Sequence, residues 1–297
     1  MTNYFQSTEK NRNFVAMLRE ETVFGPLHSR RLGSSLGINL LPTKGKICNF
    51  DCIYCECGWN ADGRGDTVLP TAAQVRSALE DKLTALLLDG TPVDSITFSG
   101  DGEPTLNPDF PTIIDDTLKL RDAFYPGAKV SVLSNATRVH LPEVFEALRK
   151  VDNPIMKIDA PTDALAALIN RPAPGYSVAR TVEALKKFQG DFVLQTMFLR
   201  YPIRSGMTEE AGTTEGATAG MTEGVIPGST GNLIFDSGAP EVLEPWMDIV
   251  RTLKPRQVQV YSIDRPTPAQ DLEKYSVEEM KELVAPLLAE GYNVQFR

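Results

Sequence analysis

Short apolar runs of the kind that form buried strands alternate along this chain with longer segments whose apolar residues recur at helical spacing. Strands are expected at 36–41, 94–99, 129–134, 155–159, 192–199 and 257–263, with a last one at 293–296. Helices are expected at 71–88, after an N-cap at Asn107, and at 142–150, 162–169, 177–188, 241–253 and 276–290, the last with a kink at Pro286. Each strand but the last is followed by a helix, so the chain belongs to the α/β class, with a parallel sheet and right-handed crossovers. An open doubly wound sheet and a barrel both satisfy that pattern.

A chain of 297 residues has ample length for one large core, and residues 1–297 are expected to form a single domain with its core from about 24. One stretch, 205–237, breaks the rhythm. It is a low-complexity acidic insert, expected to be a mobile lid or a disordered decoration. The formal charge is 30 − 39 = −9, which at first argues against a generic nucleic-acid or membrane-surface binder. The charge is local, however. Residues 205–250 hold eight acids and no Lys or Arg; without them 30 basic residues face 31 acidic ones, so charge does not exclude RNA. No apolar run approaches 18 residues and the first residues have neither a basic flank nor an apolar region, so no membrane association and a cytoplasmic location are expected.

All four cysteines, Cys48, Cys52, Cys55 and Cys57, lie within ten residues. Disulfides act by closing loops, and cysteines this crowded close almost none, so the cluster indicates metal or redox chemistry. Cys48-x3-Cys52-x2-Cys55 can hold three irons of a four-iron cluster and leave the fourth open. A structural zinc would need a fourth ligand, and only Cys57, two residues beyond, is at hand. With Tyr54 as an aromatic before the third cysteine, the loop resembles the signature of the radical S-adenosylmethionine (SAM) superfamily. Lys44-Gly45-Lys46-Ile47-Cys48-Asn49-Phe50 and Phe98-Ser99-Gly100-Asp101-Gly102-Glu103-Pro104-Thr105 look like the branch grouped with the wyosine (tricyclic tRNA base) synthases. The resemblance spans about 24–264 and the insert departs from it. It implies a partial (β/α)6 TIM-like barrel, with chemistry at the C-terminal strand ends.

The resemblance also implies roles, residue by residue. Cys48, Cys52 and Cys55 would ligate a [4Fe–4S] cluster, and SAM would chelate its open iron. The backbone around Tyr54 would meet the adenine, a role compatible with an ordinary core aromatic. Gly100, Asp101, Gly102 and Glu103 would hold the SAM ammonium largely through backbone atoms, with Asp101 replacing a family glycine. Ser134-Asn135 matches a pair that contacts SAM in relatives, with a satisfied turn as the rival. Lys157 and Asp159 share one strand face, where they suit the SAM carboxylate and ribose or a structural ion pair. Gln195 is a further cofactor contact, and Arg265 a substrate-anion contact. Cys57 has no assigned role, and His28 and His140 are too few and too far apart for zinc. Arg30, Arg31, Lys44 and Lys46 form a basic stretch that could meet phosphates or be a solvated loop.

The implied chemistry is reductive cleavage of SAM to methionine and a 5′-deoxyadenosyl radical, which abstracts hydrogen from the substrate. An external one-electron reductant such as flavodoxin or ferredoxin would supply the electron. The substrate class stays open among a small molecule, a peptide and RNA. A tRNA-base-modifying enzyme, a glycyl-radical-enzyme activase and a non-catalytic iron–sulfur electron carrier are the alternatives.

Overall fold

The structure, a computed structural model, describes residues 14–29, 33–63, 65–202 and 233–297. Its strands are β1 (Val23–Ser29), β2 (Gly33–Ile38), β3 (Ser95–Phe98), β4 (Lys129–Ser134), β5 (Asn153–Lys157), β6 (Val193–Met197), β7 (Leu199–Pro202), β8 (Leu233–Asp236), β9 (Gln257–Tyr261), β10 (Glu273–Lys274) and β11 (Val294–Phe296). The α-helices are α1 (Ala72–Leu88), α2 (Phe110–Phe124), α3 (Pro142–Lys150), α4 (Asp163–Ile169), α5 (Val178–Leu185), α6 (Pro240–Leu253), α7 (Val277–Leu283) and α8 (Ala285–Ala289). Among the described residues no helix is long and apolar enough to cross a membrane.

The main sheet runs β1-β2-β3-β4-β5-β6-β9-β11, and every pair after the β1–β2 hairpin is parallel. Strand order follows chain order and never reverses, so there is no switch point of the doubly wound kind. Right-handed crossovers then all lie on one side, and the sheet curls into the partial barrel that the resemblance implies.

The two faces of the sheet differ in chemistry. On β3, Ile96 and Phe98 share the face on which Phe98 meets Phe110 of α2 edge-on, at 6.4 Å between ring centroids. Ser95 and Thr97 share the other face, where hydroxyls and amides join across strands: Ser35–Thr97 at 2.8 Å, Ser131–Asn153 at 3.0 Å and Gln195–Gln259 at 3.1 Å. Ser35, Thr97, Gln195 and Gln259 line a cavity of about 270 Å³ inside the sheet, with Leu133 and Ile155 in its apolar wall. Phe24 of β1 lies against Gly37, where a Cβ would run into its ring, so the hairpin closes one flank of the cavity.

Several boundaries differ from expectation. The first parallel strand is 33–38 rather than 36–41, paired to β1, whose Gly25-Pro26 interruption hid it. Asn107 does not cap α2: its Oδ1 accepts the Asp109 N–H, and its amide donates to Leu40 and Pro70 carbonyls, tying loops together. The expected strand at 192–199 is two, since the chain turns at Phe198 from β6 into β7. The expected helix at 276–290 breaks at Val284, before Pro286 in the first turn of α8. Residues 203–232 of the acidic insert lie outside the described residues, but its end is ordered: β8 pairs with β7 in a small antiparallel sheet with β10.

Helix α6 is fixed to this frame by Trp246, which is buried, donates its indole N–H to Thr196 at 3.0 Å and meets Phe198 edge-on at 5.3 Å. Trp246→Ala is expected to cost about 3–5 kcal/mol of unfolding free energy, read by chemical denaturation.

Candidate active site at the cysteine loop

Loops at the C-terminal ends of the parallel strands converge. The cysteine loop leaves β2, and a single backbone rung anchors it to the segment after β3. Ile47 donates to the Asp101 carbonyl at 3.1 Å, and Glu103 donates to the Ile47 carbonyl at 3.1 Å. Gly102 sits inside this rung with φ +139°, and a Cβ there would collide with the Ile47 carbonyl, so the approach needs glycine. Cys48 is the next residue after the rung.

Side chains complete the join. The wholly buried Glu103 carboxylate accepts from Thr105 N (3.1 Å), Thr105 Oγ1 (2.6 Å), Ser134 Oγ (2.8 Å) and Asn135 N (2.7 Å), linking the ends of β3 and β4. Burial pushes this carboxyl up, and its four donors oppose that shift. Asp101 turns inward as well. One oxygen accepts from Arg19 N at 2.8 Å and Asn39 Nδ2 at 3.0 Å, and burial raises its pKa to about 6. The Asp101 and Glu103 side chains and the Ser134 hydroxyl are occupied within the fold, which leaves the backbone of this segment, through which SAM contact was expected, while Gly102 admits close backbone packing.

The four thiols are half-buried and free. Lys46 is buried beneath them, donating to Gly58 O at 2.6 Å and pairing with Asp51 at 3.5 Å. Burial works to lower its pKa, but the Cys55, Cys48 and Cys52 sulfurs and Asp51 outweigh it and hold the ammonium charged. Burial pushes Cys48 up and Cys52 up to about 11. Cys55 falls to about 6, chiefly because the Cys57 thiol donates a hydrogen bond to it, with Lys46 adding to the effect. Nitrogen donors face two sulfurs: Phe50 N and Asn135 Nδ2 at Cys48 (3.4 and 3.8 Å), and Asn170 Nδ2 at Cys52 (3.5 Å).

On the opposite rim Lys157 and Asp159 form an ion pair at 3.3 Å, the structural alternative that their shared face allowed. Asp159 also accepts from Met197 N at 2.8 Å and Asn170 at 2.6 Å, and the Tyr54 hydroxyl bonds to it. Lys157 bonds to the Tyr261 hydroxyl and stands 4.5 Å from that ring and 5.1 Å from the Tyr54 ring. Burial lowers the Lys157 pKa, and Asp159 with Tyr261 more than restores it. Gln195 lies deeper, lining the polar cavity with Gln259. Arg265 lines the same cavity but pairs with Glu56 of the cysteine loop at 2.7 Å, so it does not face a substrate anion alone. Lys46 is no phosphate contact either, because it is enclosed by its own loop; Arg30 and Arg31 lie outside the described residues.

Three asparagines were not legible in the sequence. Asn170 bridges Cys52, Tyr54 and Asp159; Asn39 holds Asp101; and Asn60 donates to the Cys48 and Phe50 carbonyls at 3.0 and 2.9 Å. None belongs to a spaced motif. Only the three-dimensional return of 60 and 170 to the cysteine loop reveals them.

Among the described residues no three His, Cys, Asp or Glu side chains converge as a single metal ion would need. A four-iron cluster asks for something different, since each thiolate meets its own iron. Three separated sulfurs around one buried cation and several N–H donors fit such an anionic cluster.

Known proteins agree with this geometry. The model of the Radical SAM superfamily matches residues 43–210, more than half of the chain. A UPF0026 protein of Helicobacter pylori is 32% identical over 185 residues, 60% of this chain and 56% of that protein, so the chain spans little over half the length of that relative. Among solved structures, a radical SAM methyltransferase from Sphaerobacter thermophilus superposes with a TM-score of 0.57 and 15% identity over 89% of this chain and 65% of that one. Streptococcus suis SuiB bound to S-adenosylmethionine gives 0.53 and 15% over 86% and 49%. At such identities the superpositions speak for the fold. The family match contains the cysteine loop, the Gly102 rung, Glu103, Asn135, Lys157 and Gln195, and the chain belongs to the radical SAM superfamily, whose cofactors are S-adenosylmethionine and a [4Fe–4S] cluster.

Proposed function

We propose that this chain is a SAM-cleaving radical enzyme in which Cys48, Cys52 and Cys55 hold the cluster and leave one iron for SAM. The observation that carries this reading is the rung between Ile47 and Gly102, which sets a three-thiol loop at the strand ends above a polar cavity. When bound, the reduced cluster supplies the electron that splits SAM into methionine and a 5′-deoxyadenosyl radical able to take hydrogen from a substrate.

The chain's own residues prepare that step. Lys46 offsets the charge of three thiolates in a buried loop, where uncompensated anions would be costly. Asn135 and Asn170 aim N–H groups at the sulfurs, and such bonds favour the charged state and tune a cluster's potential. Lys157, held charged between Tyr54 and Tyr261, offers a cation to a carboxylate at the rim, the role proposed for it toward SAM. Tyr54 and Asp159 act by positioning Lys157 and the loop. Gly100, the Asn135 amide and Gln195 remain the residues proposed to meet SAM or the substrate.

The polar cavity beneath supports a substrate rich in hydrogen-bonding groups, such as a nucleobase or a peptide amide. A fully ligated electron carrier is less well supported, because Cys57 serves Cys55 as a hydrogen-bond donor and also faces Gly100 and Asp101 at 3.8 Å. Four free thiols suit a reducing cytoplasm, where flavodoxin or ferredoxin is the proposed electron source.

Anaerobic reconstitution followed by dithionite and SAM should yield 5′-deoxyadenosine. Cys52→Ala should load little iron and form none; product from that variant would overturn the assignment. Gly102→Ala should lose iron loading while circular dichroism still reports the αβ fold, since the clash is confined to the rung. Glu103→Gln turns one acceptor into a donor facing other donors, and is expected to cost about 1–3 kcal/mol in urea unfolding.

A further inference from the structure

Beside the cysteine loop lies a second and larger cavity, a groove of about 770 Å³ between the loop after β4 and helix α5. Its inner end is Asn49, the neighbour of Cys48, which donates to Thr137 Oγ1 at 2.6 Å. From there the groove passes Arg138 and His140 on one wall and follows α5 past Arg180 to Lys186 and Lys187 on the other.

Its charge is opposite to that of the chain. Among its lining residues Glu183 is the one acid, and it pairs with Lys186 at 2.7 Å. Among the described residues, no carboxylate lies within ion-pair distance of Arg138, Arg180 or Lys187. Arg180 donates instead to the Gly175 carbonyl. The Arg138 Nε is buried without a hydrogen-bond partner. Leaving such a donor unmet costs free energy that an incoming oxygen acceptor would recover. A chain carrying −9 overall thus keeps three uncompensated cations in one groove that starts at the active-site loop.

The spacing restricts the ligand. Ten residues separate Ser177 from Lys187, a run of about 15 Å at helical rise. A single phosphate would engage one part of this run, and successive phosphates could follow its length. We propose that this groove binds the phosphate groups of the substrate, seating a phosphate-bearing tail along α5 while the reactive part reaches over Asn49 toward the cysteine loop. That the ligand is the substrate rests on the proposed function; the phosphate site itself does not.

The test uses the full-length protein and two labelled probes without SAM: a fluorescein-labelled single-stranded 12-nucleotide RNA and a fluorescent nucleoside 5′-monophosphate, each followed by anisotropy. At least one should bind. The triple variant Arg138→Ala/Arg180→Ala/Lys187→Ala should weaken that binding at least tenfold and, for the RNA, reduce the salt slope by about 2, from three lost contacts at roughly 0.7 each. Glu183→Gln, which removes the groove's acid and frees Lys186, should tighten it about twofold, a gain that misfolding does not produce. Binding of the RNA alone assigns an extended phosphodiester, and equal binding of the nucleotide assigns a small phosphate ester. If neither probe binds, or the triple variant binds like the wild type, the proposal fails. The 5′-deoxyadenosine assay, run without either probe, reports separately on the enzymatic reading.

Discussion

A carboxylate with almost no access to water organises the rim of this barrel. Glu103 is 2% exposed and its two oxygens take four hydrogen bonds, two from its own turn and two from the end of β4. A buried acid is tolerated only when donors surround it, and here they come from the segments that must be held together. The backbone N–H of the same residue grips Ile47, one residue before the first cysteine. The geometry of the thiol loop is therefore inherited from the sheet through Glu103: from β3 by chain continuity, and from β4 by Ser134 and Asn135. A free loop of three thiols would splay. This one is braced by hydrogen bonds within the protein.

The same logic explains what the sequence could and could not disclose. The alternation of strands and helices is a local property, so β3, β4, β5, β6 and β9 were legible from apolar runs. The cysteines were legible because their spacing is itself the chemistry. Most partners of Glu103, Asp101 and Asp159 were not, because contact depends on the closure of the sheet: Ser134 lies 31 residues from Glu103, Arg19 lies 82 from Asp101 and Tyr54 lies 105 from Asp159. The glycine-rich motif, expected to meet a ligand through its backbone, also serves the packing of the rim. Its glycine permits a backbone approach and its acids satisfy buried amides.

Polarity inside the sheet was equally hidden. Ser35, Ser95, Thr97, Ser131, Gln195 and Gln259 occur in strands whose hydrophobic neighbours dominate any window, yet alternation sends all of them to the lumen. An apolar lumen would stabilise the barrel more simply. Hydroxyls and amides, linked to one another across strands, keep a polar cavity whose lining also includes Arg19 and Arg265. At the rim Lys157 pairs with Asp159, and Arg265 with Glu56.

Those pairs show why counting basic residues misleads. Lys46, in a basic stretch, looked available to a phosphate, but folding surrounds it with Asp51, a carbonyl and three sulfurs. Arg265 is claimed by Glu56, 209 residues earlier. Arg138, Arg180 and Lys187 are scattered through neutral or mixed sequence and draw no notice there, yet the fold gathers them into one groove without a paired carboxylate. A cation is available for binding when the structure leaves its charge unopposed, and by that criterion the groove along α5 offers positive charge that Lys46 and Arg265 do not.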